Sequence, residues 1–210
     1  PDTLTTLDEG TFYECESLES IVLPDSIKKM GGCTFYCCFS LKSVVLPSKI
    51  NAIRGFDFFA CMALESIDIP DTVRMIDSYA FSECESLTSV KIPDGVTDIG
   101  EHAFSYCYTL GYVDIPDSVE KIDIFAFYSC PELYSVTVPE SVTTIGNYAF
   151  GYYFDEDKGG AALDSNLVLY CRENSVAHTY AVENGVAYLI CIDPITGFSV
   201  TDRGSDYITL

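Results

Sequence analysis

Basic residues are scarce in this chain of 210 residues: 11 lysines and arginines stand against 32 aspartates and glutamates, a formal net charge of −21 at pH 7. Such a surface repels phosphate, which argues against nucleic acid or anionic lipid as a partner, since both are bound chiefly through Lys and Arg. Runs of ~18 apolar residues, the length a membrane helix needs, are missing although 48% of the chain is apolar. Membrane insertion is therefore not expected. No charged segment followed by an apolar one opens the chain in the manner of a secretory signal. Histidine occurs only at His102 and His178, and G-x-S-x-G, H-E-x-x-H and glycine-rich phosphate loops are all missing. Hydrolase, metalloprotease and nucleotide-binding chemistry thus lack a carrier, and the sequence predicts no catalytic residue and no cofactor. With 32 carboxylates, a close acidic pair on the surface is expected without any glycosidase role.

What the chain does have is a period. Cys15, Cys38, Cys61, Cys84, Cys107 and Cys130 follow at 23-residue steps, and so do Phe12, Phe35, Phe58, Phe81, Phe104, Phe127 and Phe150. Prolines from Pro1 to Pro139 keep the same step. So do apolar columns that begin at Leu18, Ile21, Leu23, Ile27 and Met30 and end at Leu133, Val136, Val138, Val142 and Ile145. Residues 99–119 read I-G-x-x-A-F-x-x-C-x-x-L-x-x-V-x-I-P-x-x-V. One turn cannot bury so many apolar side chains, but stacked turns place each column on itself and make a continuous core, the mark of a solenoid.

Val113-Asp114-Ile115 alternates apolar and polar residues, a strand pattern ended by Pro116. Successive turns are expected to align these strands in a parallel sheet, with residues 100–107 forming one helical turn opposite. At ~4.8 Å per turn the array is a rod roughly 30 Å long. Pro1 is itself in register, so further repeats are expected upstream. After Phe150 the pattern changes: Tyr153 stands where cysteine is due, and Asp155-Glu156-Asp157-Lys158-Gly159-Gly160 reads as an inserted polar loop. Strands are expected at 167–170 and 186–192. Between them lies a helix capped by Asn174 or Ser175, ending near Glu183 and closed by left-handed Gly185. An atypical last unit of this kind covers the open end of a solenoid. The expected organisation is a repeat array at 1–154, a loop and cap at 155–193, and a linker with the start of another module at 194–210.

The repeat carried by Cys84, Leu87, Val90, Ile92, Pro93, Val96, Ile99, Gly100, Ala103 and Phe104 resembles the BspA-like (treponemal-type) leucine-rich repeat, over residues 1 to about 154. Tyr170, Asn174-Ser175, Tyr180-Ala181 and Asn184-Gly185 are similar to the segment that ends many such arrays. Arg54 and Asp57 depart from the Gly and Ala of the pattern, and Gly31-Gly32-Cys33-Thr34 is irregular. The tail from Ile195 is similar to the first two strands of a fibronectin type III module. The resemblance implies a right-handed solenoid, mainly β, with 23-residue repeats, short helical turns and a C-terminal α/β cap. It also implies a larger modular bacterial protein, secreted or on the cell surface, that adheres to or binds a protein partner and does not catalyse. The alternative is an accessory carbohydrate-binding or spacer module of a glycan-degrading protein, and a passive stalk is the third reading.

The cysteine ladder is expected to be structural, because buried free cysteine behaves as a small hydrophobe and no C-x-x-C pairs supply a zinc site. Cys171 and Cys191 end two expected strands, which leaves a disulfide between them open. Residues 155–166 match a calcium loop in part, but Asn166 occupies the position of the bidentate glutamate, so a solvated turn explains them. His102 shares a column with Cys33, Phe56, Tyr79, Phe125 and Tyr148, which predicts a half-buried stacked ring. The residues flanking each central strand position point outward. These are Ser20, Ser43, Ser66, Ser89, Tyr112 and Ser135 in one column, and Val22, Val45, Asp68, Lys91, Asp114 and Thr137 in the next. The candidate binding residues are Tyr108, Tyr112 and Tyr134 as an aromatic patch, with Lys91, Asp68 and Asp114 beside it.

Overall fold

Each 23-residue unit makes one turn of a β-solenoid, seen in a computed structural model that describes residues 3–164 and 166–191. Along the front, Ser20–Val22 pairs with Ser43–Val45 and Ser89–Lys91 with Tyr112–Asp114, both parallel and with partners one period apart. Ser135–Thr137, Val168–Cys171 and Ala187–Ile190 continue the face as a parallel three-stranded sheet. A second, narrower parallel ladder joins Met75–Ile76, Asp98–Ile99, Lys121–Ile122 and Thr144–Ile145, and Thr6–Leu7 pairs with Lys29–Met30 in the same sense. The expected mainly-β solenoid with 23-residue repeats is the fold observed.

The core is the set of columns read from the sequence. Phe35, Phe58, Phe81, Phe104 and Phe150 are fully buried, and successive rings from Phe12 to Phe150 stack at 5.0–5.3 Å. That spacing is close to the rise of one turn, so a column of identical rings fills the axis without a gap. Leu41, Leu64, Leu87 and Leu110 are also fully buried. Each such side chain contributes about 1.5–3 kcal/mol on burial.

The half-turn at 100–107 is not helical. Ala103 N–H donates to Gly100 C=O and Ser105 N–H to His102 C=O, while His102, Phe104 and Tyr106 N–H donate to Ile124, Ala126 and Tyr128 C=O of the next turn. Only alternate amides bond locally, so a continuous helix is impossible; two consecutive tight turns form instead. The geometry places His102 at φ 54° and Tyr106 at φ 60°, in the left-handed region, and the same two columns repeat this at Tyr79 and Glu83 and at Phe125 and Ser129. Left-handed backbone costs about 1–2 kcal/mol per non-glycine residue, which the inter-turn hydrogen bonds offset. Arg54 and Asp57 do not disturb the pattern, since Phe56 and Ala60 adopt the same conformation.

Beyond Phe150, the segment read as a loop is the tip of an antiparallel hairpin, Tyr152–Asp155 with Gly160–Leu163. The short Gly-rich sequence around the turn hid two strands with few β-branched residues. The cap follows the sequence closely. A helix spans Val176–Asn184, Ser175 Oγ accepts His178 N–H at its start, and Gly185 closes it at φ 71°. Tyr180 seals the last Phe: its hydroxyl donates to Phe150 C=O at 2.9 Å and accepts Phe150 N–H at 3.0 Å. The fibronectin type III-like stretch and the 194–210 boundary lie outside the described residues.

Candidate interaction surfaces

On the front sheet the strand alternation separates core from surface. Val90 and Val113 are buried, while Ser89, Lys91, Tyr112 and Asp114 are exposed. Lys91 and Asp114 are register partners on adjacent strands, yet among the described residues neither joins an ion pair. Asp68 is exposed in the same outward column, one turn before Lys91. Tyr112 is 58% and Tyr134 52% exposed, and the Tyr134 hydroxyl donates to Glu132 Oε2 at 2.6 Å. A shallow acidic groove lined by Asp94, Asp114 and Asp117 adjoins this face. At its other end, register partners Val22 and Val45 are exposed apolar residues that the sequence placed in the outward column but that were not singled out there.

Tyr108 belongs elsewhere. Its ring meets Tyr106 edge-on at 6.3 Å, and Tyr106 in turn meets Tyr128 at 5.7 Å and 80°. This cluster lies on the turn face, where Phe56, Tyr79, His102, Phe125 and Tyr148 stack at 4.7–5.4 Å. His102 is thus the half-buried stacked ring expected; burial lowers its pKa, opposed by the carboxylate of Glu101. His178 packs on Tyr188 and its Nδ1 accepts Asn174 N–H at 3.0 Å.

All ten cysteines are free thiols, Cys171 and Cys191 included. Burial pushes the Cys84 and Cys107 thiols well above their ordinary range and Cys130 up to about 12, which leaves them inert at neutral pH. Among the described residues no group of three or more His, Cys, Asp or Glu is arranged to hold a metal. Asp57 is the buried carboxylate of the array. Oδ1 accepts Thr34 N–H at 3.1 Å and Oδ2 accepts Arg54 N–H at 2.7 Å, but burial still pushes the carboxyl up to about 6. Both partners are backbone amides, one buried and one partly buried, so the group caps the turn.

No helix among the described residues is long and apolar enough to cross a membrane. Three solved structures are similar to the chain. A leucine-rich repeat protein from Bacteroides ovatus matches with 28% identity and a TM-score of 0.68, over 80% of this chain and 43% of that one. A leucine rich cell surface protein from Faecalibacterium prausnitzii matches with 29% identity and a TM-score of 0.65, over 80% and 59%. The leucine rich repeat protein of T. pallidum matches with 29% identity and a TM-score of 0.62, over 68% and 67%. The chain therefore spans less than half the length of the Bacteroides ovatus protein. No curated protein sequence matches it. The family model described as the BspA type leucine rich repeat region matches residues 1–110 and 53–155, in six copies. With the ladder of Phe, Cys and Leu columns carrying that match across most of its length, the chain belongs to the BspA-type leucine-rich repeat family.

Proposed function

We propose that this chain is a non-catalytic interaction module of a secreted or surface-displayed bacterial protein and that it binds a protein partner, in adhesion, through the front sheet. The observation that supports this most is the exposed front face: Tyr112 stands in the outward column, Tyr134 is exposed just before the strand Ser135–Thr137 of the next turn, and the inward residues Val113 and Val136 are buried. Side chains held by a parallel solenoid sheet lose little freedom on binding, so less of the interaction energy is spent on ordering them. The two tyrosines act as aromatic anchors, and Lys91, Asp68 and Asp114 form a polar surround that selects among partners. Membership of a leucine-rich repeat family and the likeness to a cell surface protein support both the mode and the location. Exposed tyrosine rings also suit stacking on sugars, which keeps a carbohydrate-binding role as the second reading.

The test is a binding screen of the chain on arrays of extracellular-matrix proteins and of glycans, beside the Tyr112→Ala, Tyr134→Ala variant. Saturable protein binding that the variant loses is the expected result. A glycan signal alone moves the assignment to the second reading, and silence on both arrays overturns it in favour of a stalk.

A further inference from the structure

The aromatic residues of the turn face meet in two ways, stacked along one column and tilted or edge-on beside it. Tyr79, His102 and Phe125 stack nearly parallel at 4.7–4.8 Å, so each ring covers its neighbour's face and only edges meet solvent. Tyr106 lies outside that stack, which continues from His102 through Phe125 to Tyr148: its contacts to Tyr108 and Tyr128 are edge-on at 74° and 80°, and Tyr108, 44% exposed, has no stacked partner among the described residues. The Tyr108 ring is thus in part open to solvent and to a planar group that can rest on it.

Glu83 and Glu85 stand one period before Tyr106 and Tyr108. Glu83 N–H donates to Ser105 C=O at 2.8 Å and Thr109 Oγ1 donates to Glu85 C=O at 2.7 Å, which ties the two segments side by side. Among the described residues neither carboxylate has an ion pair or a side-chain hydrogen bond. Burial and the charge of Glu85 both raise the Glu83 carboxyl, so the fold keeps two like charges together without a cation. An incoming cation relieves that repulsion.

We infer that the turn face at Tyr106 and Tyr108, flanked by Glu83 and Glu85, docks an arginine-rich segment of a polypeptide partner. A planar guanidinium stacks on an open tyrosine face while its N–H fork meets carboxylate oxygens, a combination that an ammonium reproduces less well. The net charge of −21 draws a basic segment in at long range, and the rings select where it rests. This surface is separate from the front sheet, and either can fail without the other.

The test measures binding of a labelled Arg-Gly repeat peptide at 0.15 M salt by fluorescence anisotropy. Tyr108→Ala, which leaves the charge unchanged, is expected to weaken binding about three- to tenfold, and Tyr108→Phe to retain it. Glu83→Gln with Glu85→Gln is expected to weaken binding more than Asp68→Asn with Asp114→Asn, which removes the same charge from the front sheet. Binding by Tyr108→Ala equal to that of the parent, or equal losses in the two charge-matched variants, overturns the inference and leaves attraction by net charge alone. If Tyr108→Ala lowers the thermal midpoint, the charge-matched pair decides.

Discussion

The thiol of Cys84 donates to the backbone carbonyl oxygen of Phe58 across 3.2 Å, reaching back one turn of the solenoid. Cys38, Cys61, Cys107 and Cys130 make the same bond to Phe12, Phe35, Phe81 and Phe104 at 3.1–3.2 Å. The Phe58 carbonyl already accepts Cys61 N–H, and the thiol supplies a second donor in a place that water does not reach. Cysteine thus serves both as a small apolar filler and as a weak donor between turns.

Replacing Cys84 by alanine removes that donor and opens a small cavity. The expected loss is about 1–2 kcal/mol, read as a lower urea midpoint. Cys15→Ala is the control: Cys15 is exposed, and its loss is expected to stay within about 0.5 kcal/mol.

Thiol labelling separates the two classes of cysteine. With iodoacetamide at pH 8, the native protein is expected to react first at exposed Cys15 and more slowly at half-buried Cys33, Cys37 and Cys191. Cys38, Cys61, Cys84, Cys107, Cys130 and Cys171 are expected to react only after unfolding. Mass spectrometry of the denatured, unreduced chain then counts ten alkylations; a count of eight shows that Cys171 and Cys191 are bonded after all.

Asp57 links stability to pH. Its carboxyl is raised from 3.8 in the unfolded chain to about 6 in the folded one, so the folded state binds the proton more tightly. The stabilisation this gives is fully present below pH 3.8 and is lost as pH rises through about 6. The change amounts to about 3 kcal/mol. Asp57→Ala installs the residue found at this position in the following turns, Ala80, Ala103, Ala126 and Ala149, and its stability relative to the parent is expected to rise by that amount between pH 3.5 and pH 8. Denaturant titrations at several pH values read the difference, and a constant offset between the two proteins contradicts the assignment.

Gly146 marks a close approach between turns. A Cβ there would stand 2.2 Å from the backbone nitrogen of Ile124, whereas one at Gly111 finds its nearest neighbour at 3.7 Å. Gly146→Ala is expected to cost about 1–3 kcal/mol because backbone must move, and Gly111→Ala less than about 0.5 kcal/mol. Thermal midpoints of the two variants test the contrast.

Much of the fold is legible in the sequence because the solenoid converts spacing in the chain directly into position in space. Phe58 and Phe81 are 23 residues apart and therefore one turn apart, so a column in the sequence is a column in the core. The cap was legible for another reason: Ser175 and Gly185 carry local signals, a side-chain acceptor at the helix start and a left-handed residue after its end. The hairpin at Tyr152–Asp155 and Gly160–Leu163 has neither period nor cap residues, so the sequence shows only the polar tip at 155–160.

The same spacing determines by itself which residues face outward on the front sheet, since alternation along a strand assigns Tyr112 to one side and Val113 to the other. What only the tertiary structure decided was the path of the half-turns. Alternate amides there bond to the next turn, which bends residues 100–107 away from a helix and brings Tyr108 to the ring of Tyr106, which in turn meets Tyr128. That choice rests on hydrogen bonds between segments 23 residues apart, and the directions of backbone amides leave no mark in the pattern of side chains.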